Sequence, residues 1–209
     1  MSIDYLYIDD SLLVIDKPSG LLSVPGRGEH KQDCALHRVQ QDFPEALTVH
    51  RLDMDTSGIL VLARGKAMER ALSICFQQRQ IYKRYEALAT GQFVELNGEI
   101  NLPLIADWPN RPRQMVSYEL GKPSLTHYQV LEYLSELNAS RVSLEPITGR
   151  SHQLRVHLQA LGHAILGDNL YASSEVLAQS RRLLLHASAL ALPHPVTQQR
   201  LQLNCPVPF

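Results

Sequence analysis

Long apolar runs are missing from this chain. None of its 209 residues falls in a stretch that approaches the ~18–20 needed to span a bilayer. The start, Met1-Ser2-Ile3-Asp4-Tyr5, lacks a basic segment followed by an apolar one, so no secretion signal is expected. Cysteine is scarce and odd in number. Cys34, Cys75 and Cys205 are far apart and read as reduced thiols of a cytoplasmic protein, not as a disulfide frame or a zinc site. Charge of one sign is also missing: the net charge is −1, which gives no global hint of a nucleic-acid partner. Several reactive signatures are absent as well. There is no His-Glu-x-x-His, and His152 and His157, five apart, do not share a helix face, so a metal site is not expected. There is no Gly-x-Ser-x-Gly elbow. There is no Walker loop, and Gly26-Arg27-Gly28 lacks the third glycine of a dinucleotide fingerprint. Neither metal nor nucleotide cofactor is called for. Repeats, low-complexity tracts and linkers are lacking too.

What remains is an ordinary globular composition, 44% hydrophobic and 20% charged. Leu12-Leu13-Val14-Ile15 reads as a strand closed by the turn Asp16-Lys17-Pro18-Ser19-Gly20. Residues 32–41 carry a weak helical pattern. Ser57–Ala63 is an apolar run of strand length. Met68, Ala71, Leu72, Cys75 and Phe76 fall on one helical face. Tyr82–Thr90 reads as a strand, and 97–123 as loops with short strands. Leu125–Leu134 and Ser140–Ile147 form an expected antiparallel pair. Ser151–Leu161 fits a helix whose Leu154, Leu158 and Leu161 face the core, with Gly162 as its left-handed terminator. Arg182–Leu192 and Leu201–Asn204 are closing strands. Strands outnumber helices and do not alternate with them, which predicts an α+β fold with a mixed, largely antiparallel central sheet flanked by a few helices and loops.

Three segments concentrate reactive side chains. His50-Arg51-Leu52-Asp53-Met54-Asp55-Thr56-Ser57-Gly58 runs directly into the apolar strand, at the edge of a core. Arg51 and Asp53 are there either for chemistry or as part of a charged turn. Asp53 and Asp55 are spaced like a carboxylate pair on a strand, but Asp55-Thr56-Ser57-Gly58 is good turn chemistry, and Asp55 is read as structural. Tyr82-Lys83-Arg84-Tyr85 places two rings beside two cations, suited to base stacking and phosphate contact or to an amphipathic sheet edge. Ile147 to His157 ends a strand, turns at Gly149 and enters a helix with Arg150 in its first turn, where the helix dipole disfavours a cation. From Arg64 to Arg84, six basic residues face one acidic residue, Glu69, which gives either a local phosphate-tracking surface or a solvated helix face. A glycoside or nucleoside hydrolase using Asp53 and Asp55, and a non-catalytic RNA-binding module, are the competing readings.

Together these segments resemble the RluA family of pseudouridine synthases. His-Arg-Leu-Asp-x-x-Thr-Ser-Gly before an apolar strand is that family's catalytic motif, and residues 50–58 carry all of it. Lys83-Arg84-Tyr85, Thr148–His157, Lys17-Pro18-Ser19-Gly20-Leu21 and Leu166-Gly167-Asp168 with Tyr171 match its other signatures in order. The resemblance covers about residues 7–205. It implies the family's catalytic fold as one domain over 1–209, with an active-site cleft across the sheet and without the S4 domain of some relatives. It implies isomerisation of uridine to pseudouridine in structured RNA after base flipping, with no cofactor. Asp53 is then the catalytic carboxylate, acting at the ribose or the uracil ring. Arg155 is its ionic partner, and Tyr85 stacks on the uracil and relays the C5 proton. Arg51 enters the RNA stack, His50 joins Arg51 on the substrate side and shapes the loop, and Lys83, Arg84 and Arg150 meet phosphates. Gly20–Arg27 and Asp107–Pro112 resemble the branch that modifies both 23S rRNA and the anticodon stem-loop of some tRNAs. The expected enzyme is a cytoplasmic monomer whose partner is RNA, with no membrane.

Overall fold

A computed structural model describes residues 3–209. The chain forms two compact units, one of residues up to Lys83 with His186–Pro208, the other of Arg84–Leu185 with Phe209. In chain order the elements are β1 (Asp4–Ile8), β2 (Leu12–Lys17), α1 (Ala35–Asp42), β3 (Ala46–Thr48), β4 (Ser57–Arg64), α2 (Lys66–Gln77) and β5 (Tyr82–Thr90). They continue with β6 (Asn97–Asn101), β7 (Leu104–Ala106), β8 (Gln114–Val116), β9 (Leu125–Leu134), β10 (Ala139–Pro146), α3 (Gln153–Ala160), α4 (Ser174–Ala178), β11 (Leu185–Pro193) and β12 (Arg200–Asn204). No helix among the described residues is long and apolar enough to cross a membrane.

In the first unit the sheet order is β1-β2-β4-β11-β12, with β3 also on β4. β4 is its centre. Its apolar run is continuous because both faces are covered, and Ile59–Ala63 are essentially inaccessible. One edge of β4 is lined along its length by antiparallel β2. The other is shared: β11 pairs in parallel at Ser57 and Gly58, and β3 pairs antiparallel at Leu62–Arg64. The parallel ladder between β4 and β11 makes the fold mixed within a largely antiparallel α+β architecture. Gly58 is required where β4 meets β11. Its φ is +106°, and a Cβ there would overlap the backbone of Ala187. α2 packs on β4 through the face predicted from its period, with Leu72 fully buried.

The second unit is an antiparallel sheet, β5-β10-β9-β6, with the hairpin β7-β8 beside it. Ala87, Ala89, Val142 and Leu144 of the sheet meet Leu154 and Leu158 of α3 in its core. Three expectations shift. α3 begins at Gln153, not Ser151, because His152 at its N-cap is left-handed (φ 53°), so Arg150 lies in the preceding turn and not in the helix. Leu161 lies past the last helical residue and is 40% exposed, while Leu154 and Leu158 are buried. The strand expected from Arg182 starts at Leu185, since Arg182 and Leu184 bond to Ser180 and Leu166 in a loop. Gly162 terminates α3 at φ +87° as expected, with the N–H of His163 returning to Leu158 O.

Candidate active site

In the first unit, residues 50–56 have no regular secondary structure, yet neighbouring side chains fix their backbone at several points. Lys17, fully buried, donates from Nζ to the carbonyls of Pro18 (2.8 Å), Leu21 (2.7 Å) and Met54 (2.9 Å). Ser19 Oγ donates to Asp55 O at 2.7 Å, and Gly20 N–H donates to Met54 O. Ser23 Oγ both donates to Leu52 O (2.8 Å) and accepts from Leu52 N (3.1 Å). The backbone is thus held at 52, 54 and 55, on both sides of Asp53. This explains why the turn Lys17-Pro18-Ser19-Gly20 accompanies the loop in sequence. A buried cation bonded to these carbonyls acts as a peg beneath the loop.

His50 turns inward. Its Nε2 accepts the N–H of Val61 at 2.9 Å, in the gap between the stretches of β4 paired to β11 and to β3. Its ring stacks on Phe76 of α2, with centroids 4.6 Å apart. Burial, with the charge of Lys83 beside it, pushes its pKa down from 6.5 to about 3. The ring is therefore neutral with its proton on Nδ1, and it anchors the loop to the sheet. Arg51 is exposed and Asp53 is half-buried. Asp53 O accepts the N–H of Thr56 at 3.2 Å, which closes the turn. Asp55 is half-buried and is held through its own carbonyl, in keeping with a structural part. Lys83 is half-buried, and burial together with Arg79 lowers its pKa. Among the other cations of the basic stretch, Arg64 is committed to Glu45 (2.6 Å) and Lys66 to Glu69 (2.9 Å).

In the second unit, Arg84 and Tyr85 are half-buried on β5, with Tyr85 opposite Leu144 and packed on the core. Arg150 is exposed. Its N–H donates to Gln153 Oε1 (3.0 Å), which also accepts from Thr148 Oγ1 (2.7 Å). Gln153 Nε2 donates to Leu125 O and Thr126 Oγ1. Thr126 lies 3.0 Å from His157 Nδ1, and His157 Nε2 lies 3.1 Å from Leu102 O. A carbonyl only accepts, so Nε2 carries the proton and the Thr126 hydroxyl donates to Nδ1. Burial lowers the pKa of His157, which keeps it in this neutral form. His157 thus has a hydrogen-bonding role.

Arg155 is 2% exposed. Its Nε donates to Asp168 Oδ2 (2.8 Å) and its Nη2 to Asp168 Oδ1 (2.6 Å) and Asn169 Oδ1 (3.1 Å). Asp168, itself 1% exposed, also accepts the N–H groups of Leu170 and Tyr171. The ring of Tyr171 lies 5.2 Å from the guanidinium carbon, and its hydroxyl accepts from Gln114 N and meets His152 Nδ1 at 2.7 Å. Gly167 (φ +73°) permits this turn, because a Cβ there would strike the carbonyl of Arg182. The segment Leu166-Gly167-Asp168 with Tyr171 is therefore the cradle of Arg155. Lys17, Ser23 and Asp168 were not among the expected site residues. The only signal for them was their place in the accompanying motifs.

Residues 11–160 match the RNA pseudouridylate synthase family. The dual-specificity RNA pseudouridine synthase RluA of Escherichia coli K12 is 53% identical over 204 residues, 98% of this chain and 93% of that protein. Its namesake in Pasteurella multocida is 50% identical over 207 residues, 99% and 94% respectively. Among solved structures, human RNA pseudouridylate synthase domain containing 1 superposes with a TM-score of 0.83 at 30% identity, over all of this chain and 84% of that one.

Proposed function

The chain belongs to the RNA pseudouridylate synthase family, and from that premise we propose that Asp53 is the carboxylate with which it isomerises uridine in RNA. The reaction breaks the ribose C1′–N1 bond and rejoins the uracil through C5, with no redox change and no net water. Asp53 removes the C2′ proton as N1 departs, leaving a glycal and a uracil anion. The uracil turns and C5 bonds to C1′. Asp53 returns the proton to C2′, and Tyr85, stacked on the ring, relays the C5 proton, its hydroxyl giving a proton to N1 as it takes the one leaving C5. Arg155 is the ionic partner of Asp53, and the Asp168 clamp sets the orientation of its guanidinium. Arg51 fills the gap in the RNA stack after flipping. Lys83, Arg84 and Arg150 meet phosphates.

The observation that carries this reading is the clamped backbone on both sides of Asp53. A nucleophile or base must be held to a fraction of an ångström, and a surface turn needs no fully buried lysine beneath it. The substrates are structured stem-loops of 23S rRNA and of tRNA anticodon arms, in line with the dual specificity stated for the Escherichia coli relative. The enzyme works as a cytoplasmic monomer. Mapping pseudouridine in cellular rRNA and tRNA with and without this protein tests the assignment: both RNA classes should lose a site, and loss from one class alone refutes dual specificity. A primary isotope effect on turnover of RNA deuterated at ribose C2′ tests the step given to Asp53, and its absence moves the attack to C1′ or the ring.

A further inference from the structure

The sheet of the first unit carries a second reactive cluster, on the face opposite Lys17. Asp16 on β2, His186 on β11 and Cys205 just beyond β12 each bring one ligand-type atom to within 4.8 Å of the others. The register dictates this meeting. Asp16 pairs with Ile59 and His186 with Ser57, two positions of β4 that share a face. Cys205 is delivered by its N–H bond to Ser188 O (2.8 Å), two residues from His186. His186 is fully buried, Cys205 is 4% exposed, and Asp16 is half-buried. His186 Nδ1 lies 2.8 Å from Ser57 Oγ, which fixes the ring and makes Nε2 its coordinating atom.

We propose that Asp16, His186 and Cys205 bind one thiophilic divalent cation of the zinc class, with Ser57 orienting the imidazole. One sulfur, one nitrogen and one oxygen donor suit zinc and not the all-oxygen preference of magnesium or calcium. Tetrahedral zinc, with bonds of about 2.0–2.3 Å, sets its donors about 3.3–3.8 Å apart. The cluster reaches that spacing by closing about an ångström. The half-buried Asp16 gives the ion its entry and leaves the fourth position to water. On binding, the Cys205 S–H bond breaks, its proton passes to solvent, and a sulfur–metal bond forms without redox change. Thiolate and carboxylate then balance the dication. The ion ties together β2, β11 and the segment after β12, at the foot of the loop that carries Asp53. It takes no part in the isomerisation.

The test uses the full chain, stripped with EDTA and titrated with cobalt(II) and then zinc. One cobalt per chain should bind, with thiolate-to-cobalt charge-transfer absorption that zinc abolishes, and zinc should raise the unfolding temperature. Cys205→Ser should lose the absorption and weaken zinc binding at least about a hundredfold, since changes outside the ligand set already cost 10–100-fold. Cys34→Ser and Cys75→Ser should change neither. Should Cys205→Ser fail to fold, Asp16→Asn carries the test through a weakening of about tenfold or more. Absence of the charge-transfer band in the natural chain, its survival in Cys205→Ser, or unchanged affinity in Asp16→Asn overturns the proposal and leaves a hydrogen-bonded Cys205–Asp16 pair only. None of these readouts depends on the isomerase activity.

Discussion

The loop around Asp53 and the helix that carries Arg155 are both immobilised, but different things are held. In the first unit a buried cation, Lys17, and two serines bond to backbone carbonyls and an N–H, so the main chain is fixed and presents its side chains. In the second unit a buried carboxylate, Asp168, grips the guanidinium itself through two bonds. A loop residue gains nothing from a rigid neighbour unless its own peptide is pinned, because each residue keeps two soft torsions. A residue on a helix already has its backbone fixed, so only the side-chain torsions need a partner. The two devices match the two kinds of backbone.

The comparison can be broken from either side. The largest effect is expected at Asp53→Asn, which alters the presented side chain and none of the pegs. Pseudouridine formation should fall about 10³-fold or more, with RNA affinity and the thermal melt unchanged; activity within tenfold of the natural enzyme removes Asp53 from the chemistry. Next is Asp168→Asn. It removes the buried carboxylate that clamps the Arg155 guanidinium and should cost about 3–5 kcal/mol in urea unfolding. A loss below about 1 kcal/mol would mean that the other partners of the guanidinium suffice to hold it.

Lys17→Met keeps an unbranched side chain and removes the donors to the Pro18 and Leu21 carbonyls, while Met54 O keeps the Gly20 N–H, for about 2–4 kcal/mol. It sharpens the contrast if turnover drops further than the population of folded enzyme, since the loop backbone then matters beyond stability. Arg51→Ala should be milder, about tenfold on a folded stem-loop and near nothing on a short unstructured uridine oligonucleotide. Equal losses on both would assign Arg51 to the chemical step. The last test concerns His50, the link from loop to sheet, and is read through pH and not activity. Its folded pKa of about 3 lies below the ordinary 6.5, so the folded state favours the neutral ring. Its contribution is complete above about pH 6.5 and is lost as pH falls toward 3, where the unfolded chain takes a proton that the fold refuses. The urea midpoint should decline from about pH 7 to pH 4, and the slope should flatten in His50→Gln; an identical slope would show that the ring does not titrate with unfolding.

Much of the fold was legible. β4 could be read because a strand covered on both faces must be apolar throughout, and α2 because its five inward positions follow the helical period. The start of α3 was misread by two residues: a left-handed His152 carries no compositional signal, and the turn is organised by Gln153, a side chain that bonds backward. Leu161 fitted the period but lies beyond the end of the helix. The candidate residues Asp53, Tyr85 and Arg155 could be named from motifs. Their supports could not, because a lysine solvated by carbonyls and a carboxylate gripping an arginine look in sequence like surface charges. Asp16, His186 and Cys205 were further from view, being 170 and 19 positions apart along the chain.

Local order along the chain, a motif, a period and a turn, is enough to fix the family, the α+β class and the loop that carries Asp53. Which charges are buried, and what satisfies them, is set by folding. Burial turns Lys17 into a peg, Asp168 into a clamp and His50 into a neutral anchor. The cost of desolvating a charge is settled by neighbours that folding brings from elsewhere in the chain.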